Sequence, residues 1–441
     1  MSISVCVGLL LFPQVSVMAE EPSDTVVAGA KVTVDLQLQS HGEIRNGGVI
    51  GNIEAPGSEE QPDDYCSFLS TRPRLNIHYD TPGLEACLST QYSAVWGDAD
   101  NGSLSIYEAW AKLKTKYFFA QIGRVALSYD DERIIGPDDW AMTALSHDVL
   151  RLGYEGHGHK LHAILAYNQN SDNIDHGGTY YTDGSQPYKT MQTAWYHYDV
   201  PTVPFGASLL FMNIGMQGGD PDNNPHTEYQ QLWGTYISYK SPHWSAEASY
   251  YRQTGHAETG MKIDAWTTSV KATLSPSDSY SLQSGFLYMS GDPYVVVAPI
   301  GNVGLNRHTA IRGFSALYGS HHQFYGAMDF FYIDTYINGF TPGLQDFFIG
   351  GKYSPVKRLK LEANYHYLAM ATKLHDLDMT LGHEIEVQGS YNLNSFTKLS
   401  AGYSFMTGTE SMERLKRASN RGSLRWAWFS LEVSPRLFTK H

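Results

Sequence analysis

The chain has 441 residues, 42% of them hydrophobic, with a formal net charge of −14 and a mean hydropathy of −0.32. Beyond the first residues no run of 18 apolar residues occurs, which excludes a helical transporter. The acidic balance and scattered Lys and Arg exclude a nucleic-acid binder, and no phosphate-cradling glycine motif is present.

Residues 1–19 resemble a secretory signal: an apolar stretch from Val5 to Phe12, then Val17-Met18-Ala19 with small residues where cleavage would fall, though without a basic start. Cys6 would leave with it. Cys66 and Cys87 then remain in an exported protein. A turn near Thr81 and Pro82 would set Cys87 opposite Asn76, so two unpaired thiols are expected.

From Val26 to Leu38 apolar and polar residues alternate strictly, Val32, Val34 and Leu36 against Lys31, Thr33 and Asp35. Such a strand has one dry and one wet face. The pattern recurs along the chain with no helix to cover the dry faces, so lipid must cover them. Short connections fall near Asp80–Gly83, Thr115–Tyr117, Gly156–Lys160, Val200–Pro204, Ser241–His243, Ser275–Ser279, Ser354–Lys357 and Asn392–Ser395. Between them lie longer polar loops, the longest at 291–343.

The expected fold is all-β: residues 24–441 form a single closed antiparallel transmembrane β-barrel of about 18 strands, with short periplasmic turns and long extracellular loops. Closure removes the open edges that lipid cannot satisfy. Phe118, Phe205, Trp244 and Tyr280 follow short turns, and Tyr239, Tyr353 and Tyr391 precede them, as an interfacial girdle requires. After Ile122 the apolar parity slips, which predicts a bulge at Gly123 that turns Arg124 into the lumen. Residues 317–332 admit a short loop helix or an extra hairpin but lack clean alternation, so they are kept within the long loop.

Several segments resemble the alginate-export porins of Gram-negative outer membranes: Gly123-Arg124 with Ser128-Tyr129-Asp130-Asp131-Glu132-Arg133, Met289-Ser290-Gly291-Asp292-Pro293, Leu381-Gly382-His383-Glu384-Ile385, and Ala401-Gly402-Tyr403-Ser404-Phe405. The resemblance implies an 18-strand barrel, often monomeric, that carries a polyuronate or another solute across the outer membrane.

The wet parity carries both signs of charge. Arg72, Arg74, Arg124 and Arg151 are the candidate constriction, because guanidinium groups take carboxylates in bidentate fashion. Lys112, Glu108, Glu155, Lys352 and Glu362 complete the expected lining. The structural alternative is that these charges pair across strands and only hold a wet wall together. An acidic loop rim, including Glu54, Glu59, Asp130, Asp131, Asp138 and Asp139, would concentrate cations and disfavour polyanions arriving from outside.

The expected function is passive passage of polar or anionic solutes, oligosaccharides or uronate polymers, with outer-membrane lipid and lipopolysaccharide as surroundings and no cofactor. The alternative is a surface binding or adhesion protein anchored by the barrel. Ser320, His321, His322 and Asp329 lie close in sequence, but no nucleophile-elbow motif accompanies them, and no enzyme is expected.

Overall fold

The structure, a computed structural model, describes residues 29–46, 65–98, 100–170, 180–181, 186–220, 224–293, 310–329, 331, 341–374, 377–416 and 424–440. The expected signal segment and most of the acidic stretch before Tyr65 lie outside the described residues.

Nineteen strand segments follow in order: β1 (Lys31–Asn46), β2 (Tyr65–Asp80), β3 (Leu84–Val95), β4 (Ser103–Lys114), β5 (Phe118–Val125), β6 (His147–Gly156), β7 (His159–Tyr167), β8 (Thr190–Asp199), β9 (Phe205–Gly218) and β10 (His226–Lys240). The second half comprises β11 (Trp244–His256), β12 (Lys262–Ser277), β13 (Tyr280–Met289), β14 (Leu344–Val356), β15 (Leu359–Ala369), β16 (Thr380–Asn392), β17 (Thr397–Gly408), β18 (Leu424–Val433) and β19 (Arg436–Lys440). From β1 to β18 each pairs antiparallel with its sequence neighbour, and β1 pairs with both β18 and β19 to close the cylinder. Those last two segments are halves of one strand. Pro435 has no N–H to give the ladder, but its carbonyl accepts the Leu36 N–H at 3.1 Å and the register against β1 runs on across it, shifting only at Val34/Asp35, where Leu437 is the extra residue. The barrel therefore has 18 strands.

Three of the short turns are closed by a hydroxyl. Thr81, Thr115 and Ser241 each donate through the side chain to the carbonyl three residues on and accept that residue's N–H, which closes the hairpin without a long loop. The first of these turns sits one residue later than expected. Ser89, not Cys87, therefore faces Asn76, and Cys87 faces His78; Cys66 stands opposite Arg45 at the other end of β2, and both thiols are free.

The dry parity points outward. Leu104, Ile122, Leu209 and Ile349 are among the most exposed large side chains, and Leu209 is 60% exposed. In a water-soluble fold that surface would be an aggregation hazard; here it is the lipid-facing belt. Phe118, Phe205, Trp244, Tyr280, Tyr353 and Tyr391 are exposed at the short-turn ends, and Tyr239 stacks on Trp244 at 4.3 Å. Inside, two apolar clusters occupy the extracellular half. In them, lumenal side chains such as Ile164, Met212, Leu368 and Met406 pack against the loops after β5, β13 and β17; the last of these loops carries α1 (Glu410–Lys416).

The bulge expected at Gly123 is not in the ladder. Pairing runs unbroken through it on both sides, from Ala109↔Arg124 to Lys114↔Phe119 and from Phe118↔Tyr154 to Val125↔His147. The slip in hydrophobic parity arises because β5 ends at Val125, after which the chain turns inward. Arg124 keeps the outward parity of Ile122, and its charge is met there by Asp148 through a two-pronged bond at 2.8 and 2.7 Å. A register shift does occur nearby, between Ser89 and Thr90, where Tyr107 is the extra residue of β4. Gly123 has φ +127°, and a Cβ there would stand 2.1 Å from the Ala109 carbonyl oxygen. Gly123→Ala should therefore cost roughly 1–3 kcal/mol and lower the midpoint of the barrel's thermal unfolding; an unchanged midpoint would remove the requirement.

The described part of residues 317–332 runs as loop. It makes one 3₁₀ turn at His321–Gln323 and one parallel bridge, Tyr318 with Ile135, because its hydrogen-bond partners are largely a neighbouring loop and the wall.

Candidate functional site: a lumen narrowed by two loops

Arg72 and Arg74 are two apart on β2, so both project inward. The Arg72 guanidinium is fully buried and donates to the carbonyls of Asp139 and Ala141 at 3.1 and 3.0 Å and to Gln39 Oε1 at 2.7 Å. Arg74 donates to Gln91 Oε1 at 3.0 and 2.7 Å and lies 3.8 Å over the Tyr107 ring. Both pair with the Asp139 carboxylate, at 3.2 and 2.9 Å. Gln91 Nε2 donates to the Thr143 carbonyl at 2.6 Å. The loop 126–146 is thus drawn into the lumen and pinned to β1, β2 and β3.

It meets the loop after β13 there. Gly136 donates to the Tyr318 carbonyl and Tyr318 to the Ile134 carbonyl, at 2.8 and 3.1 Å, while Glu132 accepts from Ser320 Oγ and Gln323 Nε2. Gln253 exchanges two bonds with Ser315, and Glu384 accepts the Met328 N–H at 2.9 Å, tying this second loop to β11 and β16. Trp140 stacks on His322 at 4.1 Å and meets His41 and Trp428 edge-on. Of eight non-glycine residues with positive φ, seven lie in these two loops, Ala144, Leu317 and Tyr325 among them. Such strain persists only where surrounding contacts over-determine the backbone.

Two connected cavities remain. One of about 1030 Å³ opens at the short-turn end, between Ser275, Tyr280 and Lys398 on the wall and Asp139 and Trp140 on the loop. The other, about 410 Å³, shares Trp140, Lys352, Glu362, Gln388 and Trp428 with it and continues to Arg133, His322 and Phe324. Together they are lined by Arg133, Lys271, Lys352, Lys360 and Lys398, against Asp131, Asp139, Glu247, Asp278, Asp346, Glu362, Glu386 and Glu432. Five cations against eight carboxylates make this passage mildly acidic. Lys271–Glu247, Lys352–Glu362 and Lys398–Glu432 are register neighbours paired at 3.3, 3.1 and 2.7 Å, the cross-strand pairing of a wet wall.

The structure scatters the residues singled out in the sequence. Lys352 and Glu362 line the passage. Arg72 and Arg74 stand behind the loop they hold, and Arg124 is outside the barrel. Lys112 pairs with Glu85 at 3.5 Å and lies 4.6 Å over Phe119, Glu108 accepts the Ala126 N–H where the chain turns inward, and Glu155 bonds His162 at 2.9 Å. Arg151 lies in a separate cavity. Asp139, Trp140, Arg133 and His322 shape the passage without having been singled out as its lining. The available signal was a loop with Ile134, Ile135 and Trp140, too apolar to stand in water. His322 Nδ1 bonds Asp329 at 2.6 Å, but Ser320 Oγ is engaged by Glu132, so no serine faces the imidazole.

The two loops titrate together. Burial pulls His322 down and the Asp329 carboxylate more than offsets it, leaving its pKa raised. Burial, reinforced by Asp329, raises Asp138 to about 6, and burial lowers His321 to about 4. The Asp138 contribution is present below the ordinary carboxyl value and lost as pH rises through about 6. That of His321 is present above 6.5 and lost as pH falls through about 4, so the two oppose each other. His322 contributes below 6.5 and loses its contribution as pH rises through its raised value. Loop docking is therefore expected to be nearly flat between about pH 4 and 6 and weaker at about pH 8 than at about pH 6. Hydrogen-exchange protection of residues 131–143, corrected for intrinsic rates, checks this; protection that grows toward pH 8 would contradict it.

No family model and no curated protein matches the chain. Solved structures do. It superposes on the Pseudomonas aeruginosa outer membrane protein opdK with TM-score 0.60 at 12% identity, covering 93% of this chain and 99% of that one. For OccK11 (OpdR) of the same organism the TM-score is 0.57 at 14% identity, with 92% and 96% covered, and for OccK2 (OpdF) in complex with glucuronate it is 0.57 at 14%, with 92% and 98% covered. These neighbours are not alginate-export proteins, so the resemblance read in the sequence stands only as far as the outer-membrane porin architecture. At such identities the fold is what is shared, and with the apolar belt around its outside the chain is a β-barrel of the Gram-negative outer membrane built on the porin fold.

Proposed function

We propose that the protein is a passive channel for small polar solutes of about monosaccharide size, including sugar acids, and that it works as a monomer with lipid and lipopolysaccharide around it. The observation that carries this reading is the pair of inward loops, fixed to the wall through Arg72, Arg74 and Asp139, that narrow a water-lined lumen to a passage between Trp140, His322 and Lys352. An adhesion anchor has no use for two strained loops held inside its barrel. A polyuronate suits the passage poorly, because its carboxylates outnumber its Lys and Arg side chains and three of its four wall lysines are already paired. The glucuronate bound to OccK2 supports the sugar-acid class.

Swelling of liposomes that contain the protein tests this reading. Glucose, glucuronate and small amino acids should enter, and long oligouronates should not. Swelling no faster than that of empty liposomes for every solute would overturn the proposal.

A further inference from the structure

The cavity that holds Arg151 belongs to neither part of the passage. It measures about 500 Å³ and is enclosed by β6 to β10, the start of the inward loop at Ser128–Asp130 and the short turn at Val200–Pro204. Above it the lumenal positions turn apolar. On β7 His162 is followed by Ile164, on β9 Ser208 by Leu210, and Leu127 caps the gap, all packed in one apolar cluster. The cavity is therefore blind toward the outside and open toward the short turns.

Its carboxylates are satisfied from within. Asp130 accepts from Trp195 Nε1 at 3.0 Å, and Asp199 accepts from His197 at 2.9 Å and Lys160 at 3.2 Å. Of its cations, Lys160 is paired in this way and two others are not. Arg151 and Lys240 have no carboxylate within 4.0 Å among the described residues, and Arg151 Nε is buried without a hydrogen-bond partner. That nitrogen is out of reach of solvent, so a ligand in the cavity meets the terminal nitrogens of Arg151, and a carboxylate is the group that matches such a guanidinium. Beside it, Trp195 and His197 lie stacked on each other, 5.5 Å apart and 10° from parallel, and Trp195, 7% exposed and packed against Tyr129 and His162, forms part of the pocket wall.

Resting on the channel reading above, we propose that this pocket is a binding site for a monosaccharide carboxylate, reached from the periplasmic mouth and set apart from the passage. Arg151 takes the carboxylate, Lys240 adds charge at the rim, and the wall that includes Trp195 and His197 bounds the ring. A solute that has crossed, or that accumulates on the periplasmic side, would occupy it.

The test is calorimetric titration of the purified, folded barrel with glucuronate and with glucose. Glucuronate should bind measurably more tightly than glucose, and Arg151→Gln should weaken it by about 10-fold or more, as loss of a charge-assisted carboxylate contact does. Lys240→Gln, at an exposed rim position, should weaken it by a smaller factor and serves if Arg151→Gln does not fold. No binding of glucuronate by the parent, or affinity indifferent to these substitutions, would overturn the site. Liposome swelling by the parent tests the channel separately, so a permeable barrel without this binding removes the pocket and leaves the passage.

Discussion

Asp139→Asn is expected to loosen the loop at 126–146 and widen the passage. The substitution keeps the shape of the side chain but leaves Arg72 and Arg74 with neutral acceptors only. Asp139 makes two ion pairs through one oxygen, and removing one partner of a buried pair costs roughly 3–5 kcal/mol. The half-exposed carboxylate places the loss toward the lower end of that range. About 3 kcal/mol is still roughly a hundredfold change in the ratio of docked to undocked loop. The bonds from Arg72 to the Asp139 and Ala141 carbonyls survive and oppose full release. Single-channel recordings should show additional, larger open levels, and protease should reach the loop faster than in the parent. A variant with the parent's conductance and the parent's protection would mean that the two arginines do not hold the loop.

The second large effect concerns the outside. Leu209→Arg places a guanidinium on the lipid face of β9, four residues above Phe205 at the girdle, where the bilayer is near its driest. The expected cost is about 2–4 kcal/mol, read as a loss of folded, membrane-inserted barrel. Ser390→Arg on β16 is the matched control, since its side chain enters the cavity of about 1030 Å³. Its cost should be well under ~1 kcal/mol, because water reaches the charge. Equal losses for the two would contradict the assignment of wet and dry faces.

Most of the wall was legible because a strand in a membrane barrel answers to few neighbours. Parity depends on lipid on one side and water on the other, so Val32 to Leu38 or Thr268 to Leu274 announce their faces residue by residue. Short turns were legible for the same reason: Thr81, Thr115 and Ser241 close their hairpins with their own hydroxyls. The end of β5 was misread where that local logic stops. Val125 and Leu127 are apolar because they cover other protein inside the barrel, not because they touch lipid, and the apparent slip in parity came from mixing the two.

The passage was far less legible. Arg72 and Arg74 carry the chemistry expected of a constriction, yet their charge is spent on Asp139, 67 and 65 residues further along the chain. No spacing rule connects a wall arginine to a loop carboxylate so far off. Trp140, His322 and Asp329 come together from loops that the sequence leaves as polar connections. What betrayed one of them was composition: Ile134-Ile135 and Trp140 make that connection greasier than a solvent-facing loop tolerates. Arg124 shows the converse limit. A charge at an outward position read as an error to be turned inward, whereas Asp148 on the neighbouring strand neutralises it in place.

Stepwise current in a planar lipid bilayer is the most direct test of a closed cylinder with a water-lined lumen spanning the membrane. Insertion of the purified barrel should give discrete, steady, ohmic steps, with a slight preference for potassium over chloride that follows from the acidic lining of the passage. A barrel that inserts and resists denaturation as a folded species but passes no current at any voltage would contradict the account.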